Sequence, residues 1–281
     1  MESLTRTEAA ALLDGRDLIA IGSRADDVRR RMHGAKTTFV RVLEVHVDAP
    51  PSSAPSGLKA GEIRIIGRPA SLDAAVAAVR AAAATFGGTP LTGFALGDLV
   101  SLAEASSLGS VCRALRAAGL EAVAEVSIDT LADPAVVEQA RAAGLRAARL
   151  TVHALAGDAR IDTVERARAL QESIGGFVAF APLPRTFPVA QPSTGYDDVR
   201  QVALARLVVS NIASIQVDWQ LYGPKLAQVA LTVGADDVDG VMAVESGALG
   251  TRRSALEEIR GNIRAAGLEP FERNARFEAL A

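Results

Sequence analysis

The chain alternates between short apolar segments rich in β-branched residues and longer segments with helical periodicity, and this alternation restricts the fold more than any other feature. The strand-like segments lie at about residues 37–47, 91–96, 121–128, 147–155, 177–182, 214–220 and 239–244. Nearly continuous apolar strands are required by a sheet that is buried on both faces. Strands separated by helical crossovers pair in parallel. The pattern therefore predicts an α/β fold with a parallel sheet.

A closed (β/α) barrel of the TIM type is favoured over an open, doubly wound sheet. The strand–helix units keep an even length along the chain, and no glycine-rich nucleotide-binding fingerprint follows the first strand. EIRIIG, at residues 62–67, is a further short strand that could form a hairpin arm. The total is seven or eight strands.

The predicted organisation is a single barrel domain over residues 1–281, with an N-terminal helical extension over about residues 1–34. A chain of 281 residues falls within the range of one α/β barrel. DAPPSSAPSGLKAG, at residues 48–61, has the composition of an exposed loop and is too short and too early to be a domain linker.

Charge and cysteine content exclude several classes of protein. The net charge is −3, so no overall positive field attracts a nucleic acid, and no nucleic-acid partner is expected. No segment approaches the roughly 18 uninterrupted apolar residues of a membrane span. The N-terminus lacks the pattern of a signal peptide, so a cytoplasmic location is predicted. Cys112 is the single cysteine, which excludes a disulfide framework or a cysteine-based metal site within one chain.

Four segments of the C-terminal half resemble a known enzyme family. They are QESIGGFVAFAPLP, RQVALARLVVSNIASIQVDW, YGPKLAQVALTVGADDVDGVM and SALEEIRGNIRAAGLEPFERNARF. In the same order they resemble the TGGF.AFIPLPF, LAVARLMLDNI.NIQASW, G..LAQLAL.FGANDFGGTM and I..AG..P..RDT motifs of the radical SAM enzymes of menaquinone and deazaflavin cofactor biosynthesis. These are the aminofutalosine synthase, the cyclic dehypoxanthinyl futalosine synthase and the related subunit of FO synthase. The resemblance covers roughly the last 110 residues and implies a barrel fold. The middle of the chain resembles the family less and is shortened by about one β/α unit, so the barrel could be one unit short.

The same resemblance identifies a departure after the first strand. There the family has C-x3-C-x2-C, three thiolates that hold a [4Fe–4S] cluster, whereas this chain has HVDAPPSSAPSGLKAG. Soft sulfur ligands are what make such a cluster bind. No [4Fe–4S] cluster and no other resident cofactor are therefore expected, and binding of SAM has no support from the residues. The chain is not expected to be an active radical SAM enzyme on its own.

Polar residues near the carboxyl ends of barrel strands are the candidates for binding a ligand, because barrel sites open at that face. Glu44 and His46 share one face of the first strand. A carboxylate and an imidazole on one wall could bind a ligand or transfer a proton. The alternative is that they point outward to water or pair with each other.

Four further ligand-binding candidates lie on later strands. Gln216 and Asp218 share one face of SIQVDWQ, and His153 lies near the end of LTVHAL. Glu245 matches the first Glu of the EE pair that follows GGTM in the family, where the resemblance implies a place in the pocket lining. For Asp218 and His153 the alternative is a structural, hydrogen-bonded side chain. No catalytic residue is assigned.

The acidic segment GADDVDG, with Asp236, Asp237 and Asp239, could suggest a hard cation. Its spacing lacks the alternating ligands and closing Glu of an EF-hand. A solvated turn before a strand is favoured instead, and no metal site is predicted.

Three functional hypotheses follow. The first is a barrel without a cluster, associated with the futalosine pathway of menaquinone biosynthesis, that acts as a non-catalytic ligand-binding or partner subunit. Its partners would be a nucleoside-like small molecule and either a catalytic paralogue or a second copy of the chain. The second is an enzyme with redirected acid–base chemistry on a nucleoside-like substrate. The third is a structural paralogue without a small ligand. Fold analogy alone does not separate them.

Overall fold

A closed barrel of parallel strands forms the centre of the molecule. The computed structural model describes residues 4–15, 17–103, 107–156, 159–186, 195–244 and 255–280. The strands in these residues are β1 Lys36–His46, β2 Glu62–Ile66, β3 Leu91–Ala95, β4 Ala122–Ser127, β5 Arg149–Val152, β6 Ala179–Pro184, β7 Ser214–Asp218, β8 Asp237–Met242 and β9 Glu269–Glu272. Strands β2 to β8 pair in chain order, and β1 lies between β8 and β2. Eight parallel strands therefore close the ring, and the predicted barrel is confirmed.

Helices cover the outside of the barrel. They are α1 Arg6–Asp14, α2 Leu18–His33, α3 Leu72–Thr85, α4 Leu96–Leu102, α5 Leu108–Ala118, α6 Ala135–Ala142, α7 Arg160–Ile174, α8 Gly195–Val208, α9 Trp219–Leu231 and α10 Ala255–Ala265. Thr5 and Glu8 form a capping box at the start of α1, and the Asp17 carboxylate accepts a hydrogen bond from the amide of Ala20 at the start of α2. Helix α2 packs on α8. Two N-terminal helices were expected, and both are present.

The expectation that the barrel could be one unit short is wrong. β2 pairs in parallel with β1 on one side and with β3 on the other, so it is a full member of the ring rather than a hairpin arm. Residues 47–61, which connect β1 to β2, contain no helix. The sequence analysis identified β2 as a strand but not as a ring member, because this connection departs from the alternation of the other units.

A ninth strand was not predicted. β9 pairs in parallel with the first residues of β1, at the end of the barrel where the strands begin. Pro270 lies within it, and proline is tolerated because β9 is an edge strand. Residues 273–280 continue from β9 across this end, where Ala275 donates its amide to the carbonyl of Gly61. The C-terminal segment thus covers the bottom of the barrel.

The apolar core lies between the barrel strands and the helices. Outward-facing side chains such as Phe39, Ile63 and Ile65 are 0–1% exposed and pack with helix residues such as Leu115. Among the helices that the structure describes, none combines the length and the apolar character needed to cross a bilayer. The barrel interior, by contrast, is strongly polar.

Candidate functional site

The polar side chains of the barrel interior form three sets along the barrel axis. The lower set lies near the beginning of the strands and surrounds Asp237. Its carboxylate accepts two hydrogen bonds of 2.6 Å from Arg273, one of 2.5 Å from the Thr38 hydroxyl and one of 2.6 Å from the Gln216 amide. Asp237, Gln216 and Arg273 are at most 3% exposed. A buried carboxylate needs such partners, since an unpaired one is costly. The lower set is therefore a closed structural network.

The middle set lies two residues further along β8 and surrounds Asp239. Arg64 donates to the two oxygens of Asp239 at 2.7 and 3.1 Å and to Glu62 at 2.7 Å, and Arg149 also pairs with Asp239. Burial alone would raise the pKa of Asp239, but the guanidinium charges of Arg149 and Arg64 outweigh it and hold that pKa well below its usual range. Both carboxylates of the set stay ionised, because the pKa of Glu62 is lowered in the same way.

The upper set is formed by Arg185, which follows β6. Its Nε atom lies 2.6 Å from Glu125 Oε2 on β4, and its Nη1 atom lies 3.0 Å from Asp218 Oδ2 at the end of β7. Asp218 also caps α9, because its other oxygen accepts a hydrogen bond of 2.9 Å from the amide of Leu221. Arg185 therefore links two strands across the mouth of the barrel.

A cavity of about 310 Å³ opens above the middle set, at the carboxyl ends of the strands. We call it the mouth cavity. Ligands of β/α barrels bind at this end of the strands. Its charged lining residues are Glu44, Arg64, Arg68, Asp98, Glu125, Arg149 and Arg185. Phe94 lines it with a φ of 60°, in the left-handed region where a side chain strains the backbone. The cavity has the size and the convergent charges of a site for a small polar molecule.

Three of the six candidate residues lie at or below the mouth cavity. Glu44 is in its lining. Asp218 lies beside it and contacts the cavity-lining Arg185. Gln216 is buried below, in the lower set, and its amide nitrogen is committed to Asp237. Gln216 is thus part of the buried network, whereas Glu44 lines the cavity.

Two other candidates are not in the cavity lining, and the last lies outside the described residues. His46 is exposed and is not in the cavity lining; its ring packs against Gly67, and its Nδ1 accepts the amide of Asp48. His153 is also exposed, and its backbone rather than its ring is fixed, by Asp129 and Thr186. Glu245 lies outside the described residues. Among the described candidates, neither imidazole joins the carboxylates in the cavity lining.

The acidic segment is not a solvated turn, contrary to expectation. Asp237 and Asp239 belong to β8 and face the barrel interior, with 0% exposure for each. Asp236 is 3% exposed, pairs with Arg206 and accepts the amide of Ile215. The three carboxylates thus pair with different arginines. In the described part of the chain, no three acidic, histidine or cysteine side chains gather as a metal site.

Sequence reasoning missed the interior arginines Arg64, Arg149 and Arg273. A signal was present for two of them. Arg64 interrupts the apolar strand β2 two residues after Glu62, and Arg149 begins the apolar strand β5. Charged residues two positions apart in a strand of a buried sheet point to one face, which in a barrel can only be the interior. The partner of Arg273 was not readable, because it belongs to a strand more than 30 residues earlier.

The residues present do not fit the [4Fe–4S] cluster that the family resemblance implies. The connection from β1 to β2 contains no cysteine. Cys112 is 0% exposed within the core packing of α5, and burial raises the pKa of its thiol to about 11. A cluster of this type takes several thiolate ligands, and one buried thiol cannot supply them.

Comparisons with known sequences support the C-terminal resemblance. Residues 175–281 match the family model of the CofH/MqnC C-terminal region. The chain is 34% identical over 142 residues to the aminodeoxyfutalosine synthase of Streptomyces coelicolor, covering 43% of this chain and 37% of that protein. It is 33% identical over 138 residues to the 5-amino-6-(D-ribitylamino)uracil–L-tyrosine 4-hydroxyphenyl transferase of Methanococcoides burtonii, covering 43% and 39%. The matched region thus spans less than two fifths of either relative.

Solved structures with a similar fold are matched over nearly the whole chain. Methylornithine synthase (PylB) superposes with a TM-score of 0.65 and 12% identity, covering 96% of this chain and 94% of that one. The hydrogenase maturase HydG of Carboxydothermus hydrogenoformans gives 0.63 and 12%, covering 96% and 76%. At such low identity these matches show the fold alone. The chain is therefore a parallel β/α barrel, and its residues 175–281 are similar to the CofH/MqnC C-terminal region.

Proposed function

We propose that this chain is a ligand-binding relative of the futalosine-pathway and FO synthase enzymes that performs no radical chemistry of its own. In this proposal the mouth cavity holds a nucleoside-like small molecule. The observation on which it depends is the combination of an open, charged cavity at the barrel mouth with a chain that contains one cysteine.

The absence of radical chemistry is inferred from the ligand set. Reductive cleavage of SAM by this family depends on the thiolate-held cluster, and the first strand is followed here by Pro, Ser and Gly residues instead of cysteines. Cys112 is buried in the helical layer, in the core packing of α5. No second thiol is available in the chain to complete a site.

Binding is inferred from the chemistry of the mouth cavity. Charged groups of both signs converge there, and holding them partly away from water costs free energy. Barrels whose interior serves only packing are filled with branched apolar side chains in layers. The mouth cavity instead remains open above Arg64 and Arg149. A site of this type suits a small polar molecule that replaces the lost water contacts.

The class of ligand is taken from the relatives. The name of one includes aminodeoxyfutalosine, and the name of another includes a ribitylaminouracil and L-tyrosine. A nucleoside-like molecule of this kind is therefore the first ligand to test.

Isothermal titration calorimetry of the purified chain with aminodeoxyfutalosine, adenosine and SAM tests the binding proposal. We expect saturable binding of at least one nucleoside at a stoichiometry of one per chain. Arg149→Met should weaken it, because Arg149 lines the cavity floor and holds Asp239 in place there, whereas Arg113→Met, on the outer helix α5, should leave it unchanged. Absence of binding for every nucleoside would overturn the proposal.

Anaerobic reconstitution with iron and sulfide tests the second half of the proposal. We expect no stoichiometric iron, no [4Fe–4S] signal after reduction, and no 5′-deoxyadenosine from SAM. One cluster per chain after gel filtration, or formation of 5′-deoxyadenosine, would contradict the proposed loss of radical chemistry. A pairing with a catalytic relative or with a second copy of this chain stays a prediction, which size-exclusion chromatography with light scattering would test.

A further inference from the structure

Three of the four arginines that line the mouth cavity already have carboxylate partners within the barrel, and the fourth, Arg68, is largely exposed and lies 3.7 Å from Asp98. Arg64 and Arg149 share Asp239, and Arg64 also pairs with Glu62. Arg185 pairs with Glu125 and Asp218. The positive charges that line the cavity are thus matched by carboxylates placed beside or behind them. They do not by themselves call for an anionic ligand.

Glu44 differs from the other carboxylates of the site. It is the inward-facing residue near the end of β1, in register with Arg64 of β2, and its side chain opens into the mouth cavity. Within the described part of the chain it has no hydrogen bond and no ion pair, although four charged groups face it: Arg64, Asp218, Asp239 and Arg185. Two of these are positive and two negative, and each is paired with another residue.

The surroundings of Glu44 favour a positive partner from outside the protein. Surrounding atoms remove part of its water, and this desolvation raises its pKa; Asp218 and Asp239 act in the same direction, while Arg64 and Arg185 oppose them. A carboxylate in such surroundings gains more from a cationic partner than a fully hydrated one does, because less hydration is lost on pairing.

We infer that Glu44 recognises a protonated nitrogen of the molecule bound in the mouth cavity, so that the ligand belongs to the class of small molecules with an ammonium or amidinium group. This inference rests on the proposed ligand-binding function and adds a chemical requirement to it. In the bound state the nitrogen donates to Glu44, while the arginines keep their partners within the barrel. Glu44 then supplies the selectivity of the site.

Matched pairs of probes test this requirement. Each pair differs by an amine in place of a hydroxyl: 5′-amino-5′-deoxyadenosine against adenosine, and tyramine against tyrosol. In the wild-type chain we expect the amine of at least one pair to bind about tenfold or more tightly than its hydroxyl analogue. The reason is that a hydrogen bond between two charged groups is stronger than one with a neutral donor. Glu44→Gln should make the affinities of the two members of that pair similar, because it weakens binding of the amine and leaves binding of the hydroxyl probe unchanged.

The pH dependence gives a second readout that does not require a variant. Only ionised Glu44 attracts the ammonium, so amine binding to the wild type should strengthen as the pH rises through the raised pKa of Glu44. This rise should be absent in Glu44→Gln. Glu269→Gln removes an exposed carboxylate on β9, at the opposite end of the barrel, and should behave as the wild type.

The outcomes separate the inference from the function on which it rests. If none of the four probes and none of the nucleosides binds the wild type, the ligand-binding function is overturned and the role of Glu44 with it. If probes bind but each amine and hydroxyl bind equally, or if Glu44→Gln keeps the preference, ligand binding stands and the role of Glu44 is overturned. Thermal unfolding of each variant establishes that it is folded.

Discussion

Arg273 donates hydrogen bonds of 2.6 Å from Nε and Nη2 to the two carboxylate oxygens of Asp237, inside the barrel. The arginine comes from the segment after β9 and the carboxylate from β8, so this bidentate pair ties the C-terminal segment to the barrel interior. The Arg273 guanidinium also lies 4.2 Å from the ring centroid of Phe277, a cation–π contact in the same segment. This buried ion pair therefore helps to hold the C-terminal segment over the barrel bottom.

Arg273→Met is expected to lower the free energy of unfolding by about 3–5 kcal/mol, because it leaves Asp237 buried without its cationic partner. Urea unfolding followed by circular dichroism measures the change. Arg276→Gln is the matched control. Its ion pair with Glu121 is partly exposed, so the loss should be at most about 1 kcal/mol. Equal losses in the two variants would contradict the structural role of the Arg273–Asp237 pair.

The lowered pKa of Asp239 predicts how the free energy of unfolding depends on pH. Its pKa in the folded chain lies well below the ordinary value of about 3.9, so its contribution is present above that value and is lost as the pH falls through the folded pKa. Glu62 contributes with the same sign. The free energy of unfolding of the wild type should therefore decrease as the pH falls below about 5. Asp239→Asn should be less stable at neutral pH and should lose less on acidification.

Urea titrations at a series of pH values measure this slope. Asp73→Asn, at an exposed position in the first turn of α3, should keep the slope of the wild type. An Asp239→Asn slope equal to that of the wild type would show that the middle set does not govern acid stability.

Gly240 permits the close approach of β8 to Asp218. Its φ is 72°, and a Cβ added there would lie 3.0 Å from Asp218 Oδ1. Gly240→Ala should cost about 1–3 kcal/mol of stability, from backbone strain and from displacement of a carboxylate that pairs with Arg185. Gly261→Ala is the matched control in the interior of α10, where nothing lies within 4 Å of the new methyl group. That change should stabilise by about 0.5–1 kcal/mol. The opposite order of the two variants would contradict this account.

The burial of Cys112 predicts how the single thiol reacts. It is fully buried on α5, and burial raises its pKa to about 11, so at neutral pH it is an inaccessible, protonated thiol. A chromogenic disulfide reagent should therefore react with the native chain only at the rate of unfolding, and rapidly in concentrated urea. Cys112→Ser should give no signal under either condition. Fast labelling of the native chain would show that α5 is open to solvent.

The sequence determined the architecture because barrel formation depends on local patterns. Apolar, β-branched runs separated by helical segments identified seven of the eight ring strands, and both N-terminal helices were expected. β2 was recognised as a strand, but its place was decided by tertiary structure. It pairs on both sides with strands that the sequence could not align with it, and the connection that precedes it has no helix. The single cysteine also followed from the sequence alone.

Tertiary structure decided which charged residues meet. The acidic segment around Asp237 and Asp239 was interpreted as a solvated turn, since three carboxylates in four residues usually face water. Its partners Arg64, Arg149 and Arg273 lie 36 to 175 residues away in sequence. Only the register and closure of the barrel bring them together, and ion pairing then makes burial of the carboxylates tolerable.

For the candidate site, too, some properties followed from the sequence and others only from the tertiary structure. Alternation along β1 gave Glu44 as an inward-facing residue, and the structure places it in the lining of the mouth cavity. The same alternation put His46 on that face, but it could not tell that the ring lies against Gly67 and outside the cavity lining. Side-chain direction is a local property of a strand, whereas the depth at which each residue enters the barrel is set by how neighbouring strands are staggered. The sequence determined which side chains can face inward, and only the closed barrel decided which of them share a site.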